Sequence, residues 1–169
     1  MELPEAYIPV DRCWAIARGQ DLPDRTDGAA LFADVSGFTP LTEALVQEHG
    51  PKRGAEEIAR KLNKVYAALI AQVHGYGGSV ISFSGDAITC WFEGDHGRLA
   101  TTCALGMQQV MARLAQDPMP AGVTEPLAIK IAVTAGPARR FGVGDPELQR
   151  LDALAGATLS HGQSGETGR

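Results

Sequence analysis

Ser79-Val80-Ile81-Ser82-Phe83-Ser84-Gly85-Asp86-Ala87-Ile88-Thr89-Cys90-Trp91-Phe92 sets two runs of β-branched and aromatic residues around a Ser-Gly-Asp turn. Such runs, joined by a short glycine-containing turn, predict a β-hairpin with Asp86 at its tip. A hairpin requires antiparallel pairing. That separates an α+β sandwich from a doubly wound parallel sheet.

Upstream, Gly75-Tyr76-Gly77-Gly78 ends a long helix predicted over about 54–74. Its apolar residues, Ile58, Leu62, Val65, Tyr66, Leu69, Ile70 and Val73, recur at the spacing of one helical face. His49-Gly50-Pro51 parts it from a shorter helix over about 39–48. Thr39 suits the N-cap of that helix and Pro40 its first position. Before it stands Leu31-Phe32-Ala33-Asp34-Val35-Ser36-Gly37-Phe38-Thr39. The run 28–34 is nearly all apolar, which predicts a central strand covered on both faces. Strand, tight turn and helix start meet at Asp34. The free N–H groups of such a helix start suit a phosphate, and an acid beside them suits Mg²⁺. Asp34 and Asp86 thus share one local grammar, and two strand-end acids are able to meet around one metal. Taken singly, each is also an ordinary turn-forming acid.

Downstream, Asp95-His96-Gly97 opens a helix to about residue 116, with Leu99, Cys103, Met107, Val110, Met111 and Leu114 as its buried stripe. A proline-rich loop over 118–126 leads to a strand over 127–134, turned by Ala135-Gly136-Pro137. Weaker strands are expected over 141–143 and 148–154. The order β-α-α-β-β-α-β predicts an α+β, ferredoxin-like sandwich. It occupies 28–159, after an extension over 1–27 and before a small, polar tail or linker start over 160–169.

Composition narrows the function. At 169 residues, 44% hydrophobic and 21% charged, one ordinary globular domain is expected. A formal net charge of −5 argues against a general nucleic-acid binder. Cys13, Cys90 and Cys103 form no CxxC, so neither a disulfide framework nor a zinc site is expected, and a reducing cytoplasm fits. No signal peptide and no apolar run of transmembrane length is present, so no membrane partner is expected. His49, His74, His96 and His161 have no Ser or Cys partner in a motif that would make a triad.

Four stretches together, Phe32-Ala33-Asp34-Val35-Ser36-Gly37-Phe38-Thr39, Arg53-Gly54-Ala55-Glu56, Phe83-Ser84-Gly85-Asp86-Ala87 and Lys130-Ile131-Ala132-Val133-Thr134-Ala135-Gly136, resemble the class III nucleotidyl cyclase catalytic domain, in look closest to its bacterial and soluble adenylyl cyclase branch. The resemblance covers about 28–145. It implies conversion of ATP or GTP to a 3′,5′-cyclic monophosphate and pyrophosphate, in sites between two paired cyclase domains, as a homodimer or a pseudo-heterodimer. It implies two Mg²⁺ or Mn²⁺ ions held by Asp34 and Asp86, with the Val35 carbonyl as a further ligand. Ser36, Gly37, Phe38 and Thr39 take the place that cradles the triphosphate, and Arg139 and Arg140 are candidate phosphate contacts.

The resemblance also implies groups this chain lacks. Ser82 stands where the family often has a purine-reading lysine, and Ala153, beside Asp152, where it has an acid, threonine or cysteine. Ser160 and Ser164 stand in place of an asparagine and a transition-state arginine. The chain is expected to supply the metal-binding half of a site, with no catalytic residue beyond the metal ligands. The alternative is a non-catalytic regulatory module that binds nucleotide or metal. A phosphotransferase of the haloacid dehalogenase type ranks last, because it needs a second acid where Ser36 stands.

Overall fold

A computed structural model describes residues 8–120, 123, 126–145 and 149–160. A short helix α1 (Val10–Ala17) precedes strand β1 (Arg25–Ser36). Helices α2 (Phe38–His49) and α3 (Pro51–Gly75), hairpin strands β2 (Ser79–Ser84) and β3 (Ala87–Glu93), helix α4 (Arg98–Leu114) and strands β4 (Ala128–Asp145) and β5 (Gln149–Ala155) follow. The sheet order is β2-β3-β1-β4-β5 with every neighbour antiparallel. This is the ferredoxin-like arrangement expected, with β5 added at the edge.

Alternation along β1 divides the core. Ala29, Leu31, Ala33 and Val35 face α3 and α4, meeting Val65, Leu69 and Val73 from one helix and Cys103, Met107 and Met111 from the other. Ala30 and Phe32 point to the opposite face, where Trp91, Ala138 and Leu159 cover them. The strand is central and buried on both sides, as its unbroken apolar run predicts.

Several local expectations are corrected. Helix α2 starts at Phe38, with Gly37 at the N-cap in the left-handed region (φ 96°), so Thr39 lies in the first turn and Pro40 at its third position. Glycine reverses the chain within one residue of the strand end, and Pro is tolerated there because a first-turn N–H has no intrahelical acceptor. Helix α3 begins at Pro51, its natural first position, rather than near Gly54. In α4 the exposed Leu99 precedes the sheet contact and Ala100 takes its place. The carboxylate of buried Asp95 accepts the N–H groups of Leu99 (3.1 Å) and Ala100 (2.9 Å), which caps that helix.

Ala135-Gly136-Pro137 does not turn the chain; β4 runs through it in register with β1, Pro137 opposite Asp27. Strand β5 pairs with β4 only from Arg139 onward. Proline therefore sits where the outer edge of β4 has no strand to receive a donor. The expected strand start at 148 and the tail beyond 160 lie outside the described residues.

Away from the acids, on the sheet face opposite α3 and α4, Arg140 is buried and paired with Asp11 of α1 (2.6 Å) and Glu93 of β3 (3.2 Å). Burial pushes the Glu93 carboxyl up. Hydrogen bonds from Thr26, Trp91 and Arg140 outweigh that and hold it below its ordinary 4.5. A depressed folded-state pKa stabilises the fold above the unfolded value and ceases to do so as pH falls through the folded one. Unfolding free energy is expected to decline on acidification below about pH 4.5. Glu93→Gln should be less stable than wild type at pH 7 and should converge on it in acid. Urea titrations at successive pH values measure this, and parallel profiles for the two proteins would contradict it.

Candidate metal and nucleotide site

The hairpin tip and the end of β1 are tied by backbone. Ala87 lies opposite Asp34, and the Val35 N–H donates to the Asp86 carbonyl at 3.2 Å. Ser84 pairs with Ala87, so Gly85 and Asp86 alone make the turn. Gly85 has φ 58° and Asp86 does not have positive φ, the residue pattern of a type II′ turn. The two acids expected to cooperate are therefore brought to neighbouring strand ends. Asp34 is half-buried and Asp86 exposed. Among the described residues neither carboxylate makes an ion pair or accepts a side-chain hydrogen bond.

The start of α2 lies just beyond Asp34. No side chain caps it, so the N–H groups of Gly37, Phe38 and Thr39 have no helical or side-chain acceptor. Ser36 and Thr39 are exposed, while Phe38 is buried against the core. Carboxylates and uncapped donors thus occupy one corner of the sheet.

Two residues join this corner that sequence reasoning left without a role. Lys130 of β4 lies directly opposite Asp34, and opposed side chains on one sheet face have Cβ atoms about 4.5–5.5 Å apart. It belongs to a quoted motif, yet only the antiparallel register reveals its neighbour. Tyr66 reads as one member of the α3 stripe; its hydroxyl in fact donates to the Asp86 carbonyl at 3.0 Å. Burial first, then the charges of Asp86 and Asp34, push the Tyr66 phenol above its ordinary 10.0, so it is a protonated donor at neutral pH.

Arg139 and Arg140 do not join. Arg139 lies opposite Arg25 at the far end of β1, nine residues from Asp34, or about 30 Å of extended strand. Its guanidinium lies over the Phe141 ring, 5.6 Å from the centroid, while Arg140 is held by Asp11 and Glu93. Within one chain neither reaches the acids. Ser82 is exposed on β2, Ala153 lies opposite Phe141 on β5, and Ser160 is exposed just beyond β5. Ser164 lies outside the described residues.

The donor set fits a hard divalent cation. Asp34, Asp86 and the Val35 carbonyl offer oxygen only, the ligand type of Mg²⁺ and Mn²⁺. No group of three or more His, Cys, Asp or Glu gathers among the described residues. An ion here would therefore take the rest of its shell from water and phosphate, as Mg²⁺ ordinarily does. Cys90 and Cys103 are free and buried. Burial pushes both thiols up, Cys103 to about 12, so neither is a thiolate nucleophile. No helix among the described residues is long and apolar enough to cross a membrane.

No family model matches the chain. Adenylate cyclase type 10 of Oryctolagus cuniculus is 38% identical over 65 residues, a match that spans 38% of this chain and only 4% of that protein. The crystal structure of the adenylyl cyclase CyaB from P. aeruginosa superposes with a TM-score of 0.69 at 23% identity, over 85% of this chain and 72% of that one. The guanylyl cyclase Cya2 superposes with a TM-score of 0.64 at 23% identity, over 83% and 69%. The chain thus has the fold of adenylyl and guanylyl cyclase domains, and a 65-residue stretch of it is similar in sequence to adenylate cyclase type 10.

Proposed function

We propose that this domain supplies the metal-binding half of a purine nucleotide cyclase site, which a second cyclase domain completes. The reaction joins the ribose 3′-oxygen of ATP or GTP to the α-phosphorus and releases pyrophosphate. The observation that carries the reading is the placement of Asp34 and Asp86 at neighbouring strand ends, with no ion pair to either carboxylate among the described residues, beside the uncapped start of α2. Asp34, Asp86 and the Val35 carbonyl would hold Mg²⁺ or Mn²⁺. Bound there, the ions supply Lewis-acid chemistry: a more acidic 3′-hydroxyl and a stabilised leaving group.

The chain's own groups do the positioning. Gly37, Phe38 and Thr39 direct N–H dipoles at the triphosphate. Lys130 adds a positive charge on the same sheet face as Asp34. Ser82, Ala153 and Ser160 offer no cation and no carboxylate. That supports a second reading, a module that keeps the fold and binds metal or nucleotide without catalysis.

Both readings require the metal. Asp34→Ala and Asp86→Ala are each expected to weaken Mg²⁺-dependent binding of a non-cyclisable ATP or GTP analogue while the fold stays intact. The loss should exceed the roughly 10–100-fold typical of removing an outer-shell partner. Titration calorimetry on folded variants measures it. An unchanged metal-dependent affinity in both would remove the site from these residues. Cyclisation assayed with a complementary domain then separates the two readings.

A further inference from the structure

Tyr66 touches both acid-bearing segments. From the β1 side, Phe38, the first residue of α2, stacks on its ring with centroids 6.3 Å apart and planes at 28°. From the hairpin side, Phe83 meets the ring edge-on at 6.3 Å and 77°. The hydroxyl reaches past both rings to the Asp86 carbonyl, which also accepts the Val35 N–H. A carbonyl has two lone pairs; here one is bound to the strand that carries Asp34 and the other to α3. The turn that carries Asp86 is thereby fixed against the strand end that carries Asp34.

A core role would not need the hydroxyl. Tyr66 lies between Leu62 and Ile70 in the α3 stripe, and a phenylalanine there would keep both ring contacts. We propose that Tyr66 is a positioning residue whose hydroxyl sets the placement of Asp86 relative to Asp34 and so the affinity of the pair for a divalent cation. The proposal rests on the metal reading above. It adds a residue that touches neither metal nor nucleotide and acts through the backbone of a ligand turn. Small misplacements of ligands matter because a cation of this kind demands near-ideal geometry.

The test uses Mn²⁺ alone, titrated by electron paramagnetic resonance against wild type, Asp34→Asn and Tyr66→Phe. Amide exchange without metal is measured in parallel. Wild type should bind and Asp34→Asn should not. Tyr66→Phe should bind about tenfold more weakly, the lower end for loss of an outer-shell partner. Its Val35 amide, which reports closure of the turn, should exchange faster, while amides in the middle of β1 keep their protection. Tyr66→Phe binding as wild type does would overturn the positioning role and leave the metal site standing. Faster exchange throughout β1 would show general loosening and overturn it as well. Equal binding by wild type and Asp34→Asn would remove the metal site itself, and the positioning role with it.

Discussion

Residues 1–169 assayed alone, with Mg²⁺ or Mn²⁺ and either ATP or GTP, are expected to form cyclic nucleotide at least about 10²–10³-fold more slowly than when mixed with a cyclase domain that carries the lysine, acid, asparagine and arginine this chain lacks. That range is the loss typical of one donor aimed at charge developing in the transition state. In the proposed site, metal and N–H groups would act on the ribose 3′-hydroxyl and on the leaving pyrophosphate, and neither meets the charge that develops around the α-phosphate. What is needed is charge that meets the α-phosphate as it reacts. Ser82, Ala153 and Ser160 present neutral short side chains at three of the four positions concerned. Several missing donors compound without adding, so the single-donor figure is a floor. Robust turnover by the isolated chain, abolished by Asp34→Ala, would show that the chain furnishes both halves. Failure of every complementary domain to raise the rate, with metal-dependent nucleotide binding intact, would favour the non-catalytic module.

The features legible in the sequence are those encoded locally. The hairpin, the α3 stripe and the apolar run of β1 each follow from residue spacing within one segment, and the antiparallel sandwich follows from their order. Asp34 and Asp86 were legible for the same reason, each standing at a strand end with a Ser-Gly turn beside it. Lys130 and Tyr66 were not, because their roles depend on what lies across from them. Register decides that Lys130 opposes Asp34, and the packing of α3 decides that the Tyr66 hydroxyl finds Asp86. The 135–137 segment failed in the opposite sense. Glycine and proline are turn formers locally, but pairing with β1 across the whole strand outweighs that preference where the outer edge is unpaired.

Arg139 and Arg140 show the same limit and allow a sharp test. Adjacent residues on a strand point to opposite faces, so one arginine of the pair is exposed and the other buried, though the dipeptide gives no sign which. Arg140→Ala is expected to destabilise the fold by about 3–5 kcal/mol, the range for breaking a buried ion pair by removing one partner. It would strand the half-buried Asp11 of α1 and deprive Glu93 of its cation, while Trp91 and Thr26 still donate to Glu93. It should also loosen α1, whose Asp11 N–H bonds to Ser79 on the same face. Arg139→Ala removes an exposed cation over Phe141 and is expected to cost within about 1 kcal/mol. The two variants thus separate a structural clasp from a ligand contact. If Arg140 is the clasp, urea midpoints drop sharply for Arg140→Ala alone, and Arg140→Met, which keeps the apolar stem, recovers part of the loss. If instead Arg140→Ala unfolds like wild type and loses only nucleotide affinity, the ion pairs of the buried Arg140 with Asp11 and Glu93 do not hold the sheet end together, and the arginine serves a ligand.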